Sequence, residues 1–246
     1  MQYYIFEDRL ALDFYPLTVT RAAFELRQGA FTFIEGIQKL LNTNRLSVFA
    51  RDDLAPTLQE RYPHSDINPV EVKEGVWLLG NVRWTESAIN KICANTAAVY
   101  RQEGRIIAAK LSKKDGRNWV ANGGPIAGEP DFGLPSLNLE LPVMRYLWDL
   151  IESTETALED DAQFFDLGNN VLAEVNGIAL INSDRIHIAN PKFVKPGVCI
   201  DATDGPVIID EGVVIGAGAS ILGPVYIGKD SRISANANIR PGSIFG

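Results

Sequence analysis

Apolar residues recur at every sixth position through the C-terminal part of the chain, and small or β-branched residues follow them four positions later. An α-helix repeats its face every 3.6 residues and a strand every 2 residues, so this spacing fits neither. Six-residue units with intervening glycines are typical of a parallel β-helix, in which each large aliphatic side chain points to the axis. A set of unrelated short strands would not hold one register for so long. The first series is Ile209, Ile215, Ile221, Ile227, Ile233, Ile239 and Phe245; the second is Val213, Ala219, Val225, Ser231, Ala237 and Ser243.

The same spacing extends towards the N-terminus. Ile200, Val194 and Ile188 stay in register if three extra residues are allowed within residues 201–206. An Asp-Gly-Pro sequence lies in that stretch and predicts a small loop there. We therefore expect a β-helix domain over residues 166–246.

The N-terminal part of the chain alternates short apolar runs with amphipathic stretches. Strands are predicted at residues 3–6, 46–50 and 76–80, helices at 31–41, 85–93 and 143–158, a hairpin at 99–111 and a long loop at 116–142. Such alternation predicts an α/β domain, here residues 1–165, with a mainly parallel, doubly wound sheet. Ligands of such sheets bind outside the carboxyl ends of the strands, which places the candidate chemistry in the loop of residues 7–27 and at residues 81–83.

Composition and charge narrow the function classes. The chain has 246 residues, of which 46% are hydrophobic, as in an ordinary globular protein. Its net charge of −8 argues against nucleic acid or an anionic membrane as a partner. The N-terminus lacks a basic signal-peptide region and no apolar run is long enough to span a bilayer, so a cytoplasmic location is expected. Isolated cysteines and histidines favour buried thiols and structural or surface imidazoles over a disulfide or zinc site; they are Cys93, Cys199, His64 and His187.

A loop after the first predicted strand carries a recognisable motif. Residues 16–21 read P-L-T-V-T-R and resemble the P-L-T-x-T-R part of the sugar nucleotidyltransferase signature. The glycine-rich segment that usually precedes this motif is absent from residues 9–14, and Ala23 stands where the signature has a lysine that contacts the sugar phosphate. Further segments, at residues 25–29, 104–109, 148–150 and 205–209, extend the similarity along the chain. Together they resemble a divergent prokaryotic branch of the bifunctional N-acetylglucosamine-1-phosphate uridylyltransferase/glucosamine-1-phosphate acetyltransferase family.

This resemblance implies a fold and an activity. The fold would be a Rossmann-like nucleotidyltransferase domain followed by a left-handed parallel β-helix of hexapeptide repeats, assembled as a homotrimer. The activity would join a nucleoside triphosphate and a sugar-1-phosphate, with UTP and N-acetylglucosamine-1-phosphate giving UDP-N-acetylglucosamine, and would use Mg²⁺. The histidine-containing segment suited to acetyl transfer is not found in this chain, so acetyltransferase activity is not expected. The chain stops at Gly246 in mid-pattern, which we interpret as a truncation.

The resemblance also implies which residues form the site. Arg21 and Arg27 are the predicted catalytic residues, since guanidinium groups clamp phosphates well; the alternative is that they are surface arginines paired with Glu25 or Asp8. Thr18 and Thr20 of the same motif are predicted to bind substrate. Asn81 completes this set, because Gly-Asn-Val stands where the family has Gly-Asp-Val with a metal-binding aspartate; the alternative is that it caps a turn.

A metal ligand is predicted at Asp149, at a position loosely comparable to a family aspartate beside the sugar. The alternative is a solvated carboxylate in the first turn of a helix. Asn176 resembles a second metal-binding asparagine, although a turn role for Asn-Gly is the better interpretation. Loss of the glycine loop, the lysine and the metal aspartate supports a rival hypothesis, a catalytically silent module that binds nucleotide sugar or builds an oligomer.

Overall fold

The computed structural model describes residues 1–168 and 177–246, and these form two compact units. The first unit comprises Met1–Leu26 and Thr32–Leu147, and the second comprises Arg27–Phe31 and Trp148–Gly246. The domain boundary predicted after residue 165 stays a prediction. Among the described residues, no helix has the length and apolar character that a membrane crossing requires.

Strands and helices follow one another closely along the chain. Up to residue 161 they are β1 (Gln2–Phe6), β2 (Arg27–Gln28), β3 (Phe31–Thr32), α1 (Phe33–Leu41), β4 (Ser47–Phe49), α2 (Ala55–Arg61), β5 (Asp66–Ile67), β6 (Gly75–Leu79), α3 (Glu86–Ala94), β7 (Ala98–Gln102), β8 (Arg105–Leu111), α4 (Lys113–Ala121), α5 (Gly124–Ala127), β9 (Ser136–Asn138), α6 (Leu147–Glu152) and α7 (Thr154–Asp161). The rest are β10 (Ala179–Ile181), β11 (Ile186–Ile188), β12 (Phe193–Val194), β13 (Cys199–Asp201), β14 (Val207–Ile209), β15 (Val214–Ile215), β16 (Ser220–Leu222), β17 (Val225–Ile227), β18 (Arg232–Ile233), β19 (Asn238–Ile239) and β20 (Ser243–Phe245).

A mixed seven-stranded sheet forms the centre of the first unit, in the order β5-β4-β1-β6-β8-β7-β9. The strands β5, β4, β1 and β6 run parallel, so the predicted parallel sheet is confirmed for this part. The predicted hairpin is β7 and β8, which pair antiparallel. Trp77 of β6 fixes the core, since its ring stacks on Tyr4 at 4.5 Å and on Phe49 at 4.8 Å between ring centroids.

Side chains define where the helices of this unit begin and end. Thr32 and Glu35 form a reciprocal cap at the start of α1, in which each accepts a hydrogen bond from the backbone N–H of the other. Thr85 caps α3 by accepting from the N–H of Ala88. At the other end of α3, the ammonium group of Lys110 donates to carbonyl oxygens of that helix end, at 2.6 and 2.7 Å. Such caps satisfy polar groups that a helix leaves without partners.

Two predicted elements differ from the structure. Residues 116–142, expected as a loop, contain most of α4 together with α5 and β9. Ser112 caps α4, and the buried Trp119 side chain packs it against the core. The helix therefore lacks the periodic apolar face by which a helix is predicted from sequence. The helix expected at residues 143–158 is two short helices, α6 and α7, which meet at Ser153. The Ser153 hydroxyl donates to the carbonyl of Asp149 and so competes with the regular helical ladder.

The second unit is built on three stacks of parallel strands, as in a parallel β-helix. Ile221 pairs with Ile239, which is three six-residue units further along, and the other two stacks keep the same repeat. The preceding coil, in which Ile200 pairs with Ile221, is three residues longer, as the sequence predicts. All six repeat isoleucines are buried and belong to one core cluster, so the predicted ladder is confirmed.

One stack of this unit, β11-β14-β17-β20, is covered on its outer face. Ile208 and Tyr226 point outwards from it and pack with Leu158 of α7 and with Ala30. Gly29 beside them has φ +81°, and a Cβ atom there would collide with the Asp161 carboxylate. Asp161 in turn accepts a hydrogen bond from the N–H of Ala30 at 2.8 Å. A glycine is therefore required at this turn both by conformation and by space.

Candidate active site

Polar residues of the first unit gather where β1, β4 and β6 end. Glu7 and Asp8 follow β1, Arg51 lies shortly after β4, and Asn81 follows β6. Because these three parallel strands are neighbours in the sheet, their carboxyl ends meet at one edge. This edge is the candidate active site.

A buried ion pair fixes the motif loop at this edge. The Glu7 carboxylate is fully buried and accepts hydrogen bonds from the N–H of Ala23 at 2.9 Å, the N–H of Arg51 at 2.9 Å and Nε of Arg51 at 3.0 Å. Nη2 of Arg51 donates hydrogen bonds to the carbonyls of Thr18 at 2.7 Å and Arg21 at 2.9 Å. Charge-assisted bonds of this kind are the stronger ones in proteins. The pair of Glu7 and Arg51 therefore holds the backbone of the loop that carries P-L-T-V-T-R.

The predicted residues of this loop have different surroundings. Thr18 is buried and its hydroxyl donates to the Ala11 carbonyl at 2.8 Å, so it braces the loop. Thr20 is exposed, and its carbonyl accepts from Arg61 at 3.4 Å. Arg21 is exposed, and its guanidinium has no hydrogen bond or ion pair with any residue that the structure describes. The substrate-binding and catalytic roles of these three residues stay predictions.

The two carboxylates considered as surface partners of Arg21 and Arg27 each pair with another arginine, and that alternative stays open. Glu25 pairs with Arg61 at 2.9 Å, and Asp8 pairs with Arg105 at 2.7 Å.

Burial, together with the nearby Glu25 carboxylate, raises the pKa of Tyr62 above its ordinary value. Tyr62 therefore stays a neutral phenol beside the Glu25 carboxylate at any ordinary pH.

Asn81 belongs to a small network with Asp8 and Arg105. The Arg105 guanidinium donates to both Asp8 oxygens, from Nε at 2.7 Å and from Nη2 at 2.8 Å, and Nη2 also reaches Oδ1 of Asn81 at 3.3 Å. The Asn81 side chain is buried, and its Nδ2 donates to the Met144 carbonyl at 2.6 Å. Both ends of the Asn81 amide are thus engaged inside the first unit.

These contacts do not fit a metal ion at Asn81. A hard cation such as Mg²⁺ prefers carboxylate and other oxygen ligands. Here the oxygen of Asn81 faces a guanidinium, and the Asp8 carboxylate is already paired with the same group. Across the described part of the chain, no cluster of three or more histidine, cysteine, aspartate or glutamate side chains could hold a metal.

The remaining predicted residues lie in the second unit. Arg27 donates from Nη1 to the Ala30 carbonyl, and its guanidinium lies over the Tyr226 ring, 5.5 Å from the centroid. Such a cation–π contact stabilises the turn against the β-helix. Asp149 is half-buried in the first turn of α6. Its metal-binding role stays a prediction, and Asn176 lies outside the described residues.

Two cavities open at the carboxyl edge of the sheet. One, of about 350 Å³, lies between the end of β4 and α5, and the other, of about 420 Å³, lies beside Asp8 and Arg105. Pro125 lines both. The second cavity is also lined by Arg9, an exposed residue whose guanidinium has no partner among the described residues. Sequence reasoning missed Glu7, Arg9 and Arg51. For Glu7 and Arg9 the available signal was a run of three charged residues, 7–9, directly after the first predicted strand.

A family comparison decides the class of the first unit. A model described as sugar nucleotidyl transferase matches residues 3–170, which is more than half of the chain. The chain belongs to the sugar nucleotidyl transferase family. A second model, described as bacterial transferase hexapeptide (six repeats), matches residues 206–241. This sugar nucleotidyl transferase therefore combines a nucleotidyltransferase unit with hexapeptide repeats of the acyltransferase type. No curated protein matches the chain.

Proposed function

We propose that this sugar nucleotidyl transferase joins a nucleoside triphosphate to a sugar-1-phosphate, with UTP and N-acetylglucosamine-1-phosphate as its substrates. A phosphate oxygen of the sugar-1-phosphate attacks the α-phosphorus of the triphosphate. The bond from that phosphorus to the bridging oxygen breaks, and pyrophosphate leaves with the electron pair. UDP-N-acetylglucosamine is the product. In this proposal the first unit has the Rossmann-like fold of the family, and the hexapeptide repeats form a left-handed β-helix.

One observation carries this proposal: the motif loop of the matched family lies at the edge of the sheet where ligands of such folds bind. Glu7 and Arg51 hold its backbone there, next to two cavities. Arg9 and Arg21 offer guanidinium groups that no described residue uses. Phosphoryl transfer depends mainly on positioning and on charge neutralisation, so cations on a fixed loop suit it. Mg²⁺ is proposed only as the ion that accompanies the triphosphate, with Asp149 as the candidate ligand from the chain.

Pyrophosphate release tests the reaction. Each of the common nucleoside triphosphates is paired with sugar-1-phosphates in the presence of Mg²⁺, and nucleotide binding is measured in parallel. Arg21→Ala removes a charge-assisted contact and should weaken nucleotide binding by roughly ten-fold to a hundred-fold. Arg27→Ala tests the other predicted arginine in the same way. Arg117→Ala, which removes an exposed arginine paired with Glu71, is the matched control and should change nothing.

The rival function is a catalytically silent module that binds nucleotide sugar. The engagement of Asn81 by Arg105 and Met144 favours it, because no carboxylate replaces the family aspartate there. Nucleotide-sugar binding without pyrophosphate release from any substrate pair would support this module and contradict catalysis. Turnover that survives both arginine substitutions would place the site elsewhere.

A further inference from the structure

A third cavity, lined mostly by polar residues, lies near the amino end of β4, one of the strands that carry the candidate active site. It has a volume of about 800 Å³ and lies beside β5 and the residues that flank it, the segment before β4 and the end of α2. Its lining includes Arg45, Gln59, His64, Ser65 and Asp66. We call it the amino-edge pocket. The two cavities described above lie at the carboxyl ends of the same strands, so the amino-edge pocket is not part of the candidate active site.

Ser65 is the observation that points to a ligand. Ser65 is only 5% exposed, and its hydroxyl oxygen is buried without a hydrogen-bond partner in the described structure. Its backbone N–H donates to the Tyr62 carbonyl at 3.0 Å, and the residue lines the pocket. A buried hydroxyl without a partner is unfavourable, and such groups are rare in folded proteins. A ligand that hydrogen-bonds to Ser65 would remove this penalty.

Charged groups of both signs line the same pocket. The Arg45 guanidinium is exposed and has no partner among the described residues, and neither does the His64 imidazole. Asp66 accepts from the Ser47 hydroxyl through Oδ2 at 3.4 Å, which leaves Oδ1 able to accept another hydrogen bond. A guanidinium suits a phosphate group, whereas a carboxylate oxygen suits a sugar hydroxyl. Among the described residues that line the pocket, the exposed His64 imidazole is the one aromatic ring, and phenylalanine, tyrosine and tryptophan are absent from the lining.

We propose that the amino-edge pocket is a second binding site, which takes a small sugar phosphate. Arg45 binds the phosphate, Ser65 donates to the ligand from the wall, and Asp66 accepts from a sugar hydroxyl. Gln59 lies on α2 and adds an amide to the same wall. The site is independent of the proposed nucleotidyl transfer, since none of these residues has a role in that reaction.

Isothermal titration calorimetry on the full chain tests the site, with glucose 6-phosphate as the probe. Inorganic phosphate and glucose are titrated separately, because each presents only one half of the proposed contacts. Glucose 6-phosphate should bind at least ten-fold more tightly than either. Equal affinity for inorganic phosphate would overturn the sugar-phosphate assignment, and no binding of glucose 6-phosphate would overturn the site.

Variants locate the binding. Arg45→Gln should weaken the affinity for glucose 6-phosphate by about ten-fold or more, because a charge-assisted contact is lost. Ser65→Ala should weaken it several-fold while the melting temperature of the free protein stays equal or rises, since the unpaired hydroxyl is removed. That combination distinguishes a ligand contact from a packing role. Arg117→Gln is the matched control for loss of an exposed arginine and should bind as the wild type does.

Two results would contradict the assignment. Wild-type affinity in both Arg45→Gln and Ser65→Ala would show that the probe binds elsewhere. Loss of binding in Arg21→Ala, with no loss in Arg45→Gln, would place the probe in the candidate active site. Both results leave the nucleotidyl transfer proposal unaffected, because that proposal is read from pyrophosphate release.

Discussion

Single buried polar residues set the geometry of the candidate active site. Glu7 has no exposed surface, yet its carboxylate is fully used by the Ala23 amide and by the amide and guanidinium of Arg51. A buried charge is tolerated only when it is paired and hydrogen-bonded in this way. The consequence is that a residue outside the family motif controls where the motif lies.

Glu7→Gln tests this control. The variant keeps the size of the side chain but replaces one acceptor oxygen with an N–H group that faces donors, and it leaves the Arg51 guanidinium without its counter-charge. Removal of one partner of a buried pair is strongly destabilising, so the free energy of unfolding should fall by about 3 kcal/mol. Urea unfolding measures it. Glu71→Gln, in an exposed pair with Arg117, is the control and should leave the midpoint unchanged; equal midpoints for both variants would refute the role of Glu7.

Asn81→Asp should not create a metal site. The new carboxylate would lose the donor that serves the Met144 carbonyl and would bring a second negative charge to Arg105. An unsatisfied buried group costs about 1–3 kcal/mol, so stability should fall by that amount. Thermal unfolding with and without Mg²⁺ checks this. A melting temperature that rises with Mg²⁺ in the variant and not in the wild type would show that a metal binds at this position.

The sequence located the motif loop but not the contacts of its side chains. P-L-T-V-T-R could be read directly, and so could the likeness of Asn81 to a family aspartate. The Thr18 hydroxyl reaches the Ala11 carbonyl because residues Arg9–Phe14 form a short 3-10 helix. The hydrophobic pattern of the sequence does not predict this helix. That Arg105 reaches Asp8 depends on the sheet order, because β8 lies two strands away from β1 in the sheet. Contacts of this kind follow from strand order and not from local pattern.

Among the elements, the β-helix was the most predictable from sequence. Each coil repeats the same covalent spacing and buries the same position, so one residue type recurs at a fixed interval. Even the three-residue insertion before β14 is visible as a break in the period. By contrast, α4 buries Trp119 among mostly polar neighbours, so its sequence lacks the periodic stripe by which a helix is recognised.

Ile227→Asp tests the β-helix as an element. Ile227 is fully buried in the ladder between Ile209 and Phe245, so a carboxylate there would lie on the coil axis without a partner. We expect the C-terminal unit to lose well over 3 kcal/mol of stability and to melt at a lower temperature. Circular dichroism during heating measures it. Arg232→Asp, on an exposed position of β18, is the control; an unchanged melting curve for Ile227→Asp would contradict the inward ladder.

At the scale of the whole molecule, the outer faces of the β-helix differ in how they are covered. The stack containing β14 and β17 is packed by α7 and Ala30, whereas the stack β12-β15-β18 carries Phe193 with 54% of its surface exposed. The exposed ring is available for a contact with another molecule. Hexapeptide-repeat proteins commonly place such faces against copies of themselves, so this stack is where we expect the subunits to meet.

Assembly as a trimer is the last prediction, and Phe193 gives it a test. Light scattering on the wild type should report about three times the chain mass of 27.0 kDa at micromolar concentration. Phe193→Asp should shift the mass towards that of a single chain, because a desolvated charge at an interface weakens it, while the far-ultraviolet circular dichroism spectrum stays the same. Val70→Asp makes the same change at an apolar position of the first unit that is 81% exposed, and should leave the mass unaltered. A single-chain mass for the wild type would exclude the trimer, and a trimer that persists in Phe193→Asp would place the interface on another face.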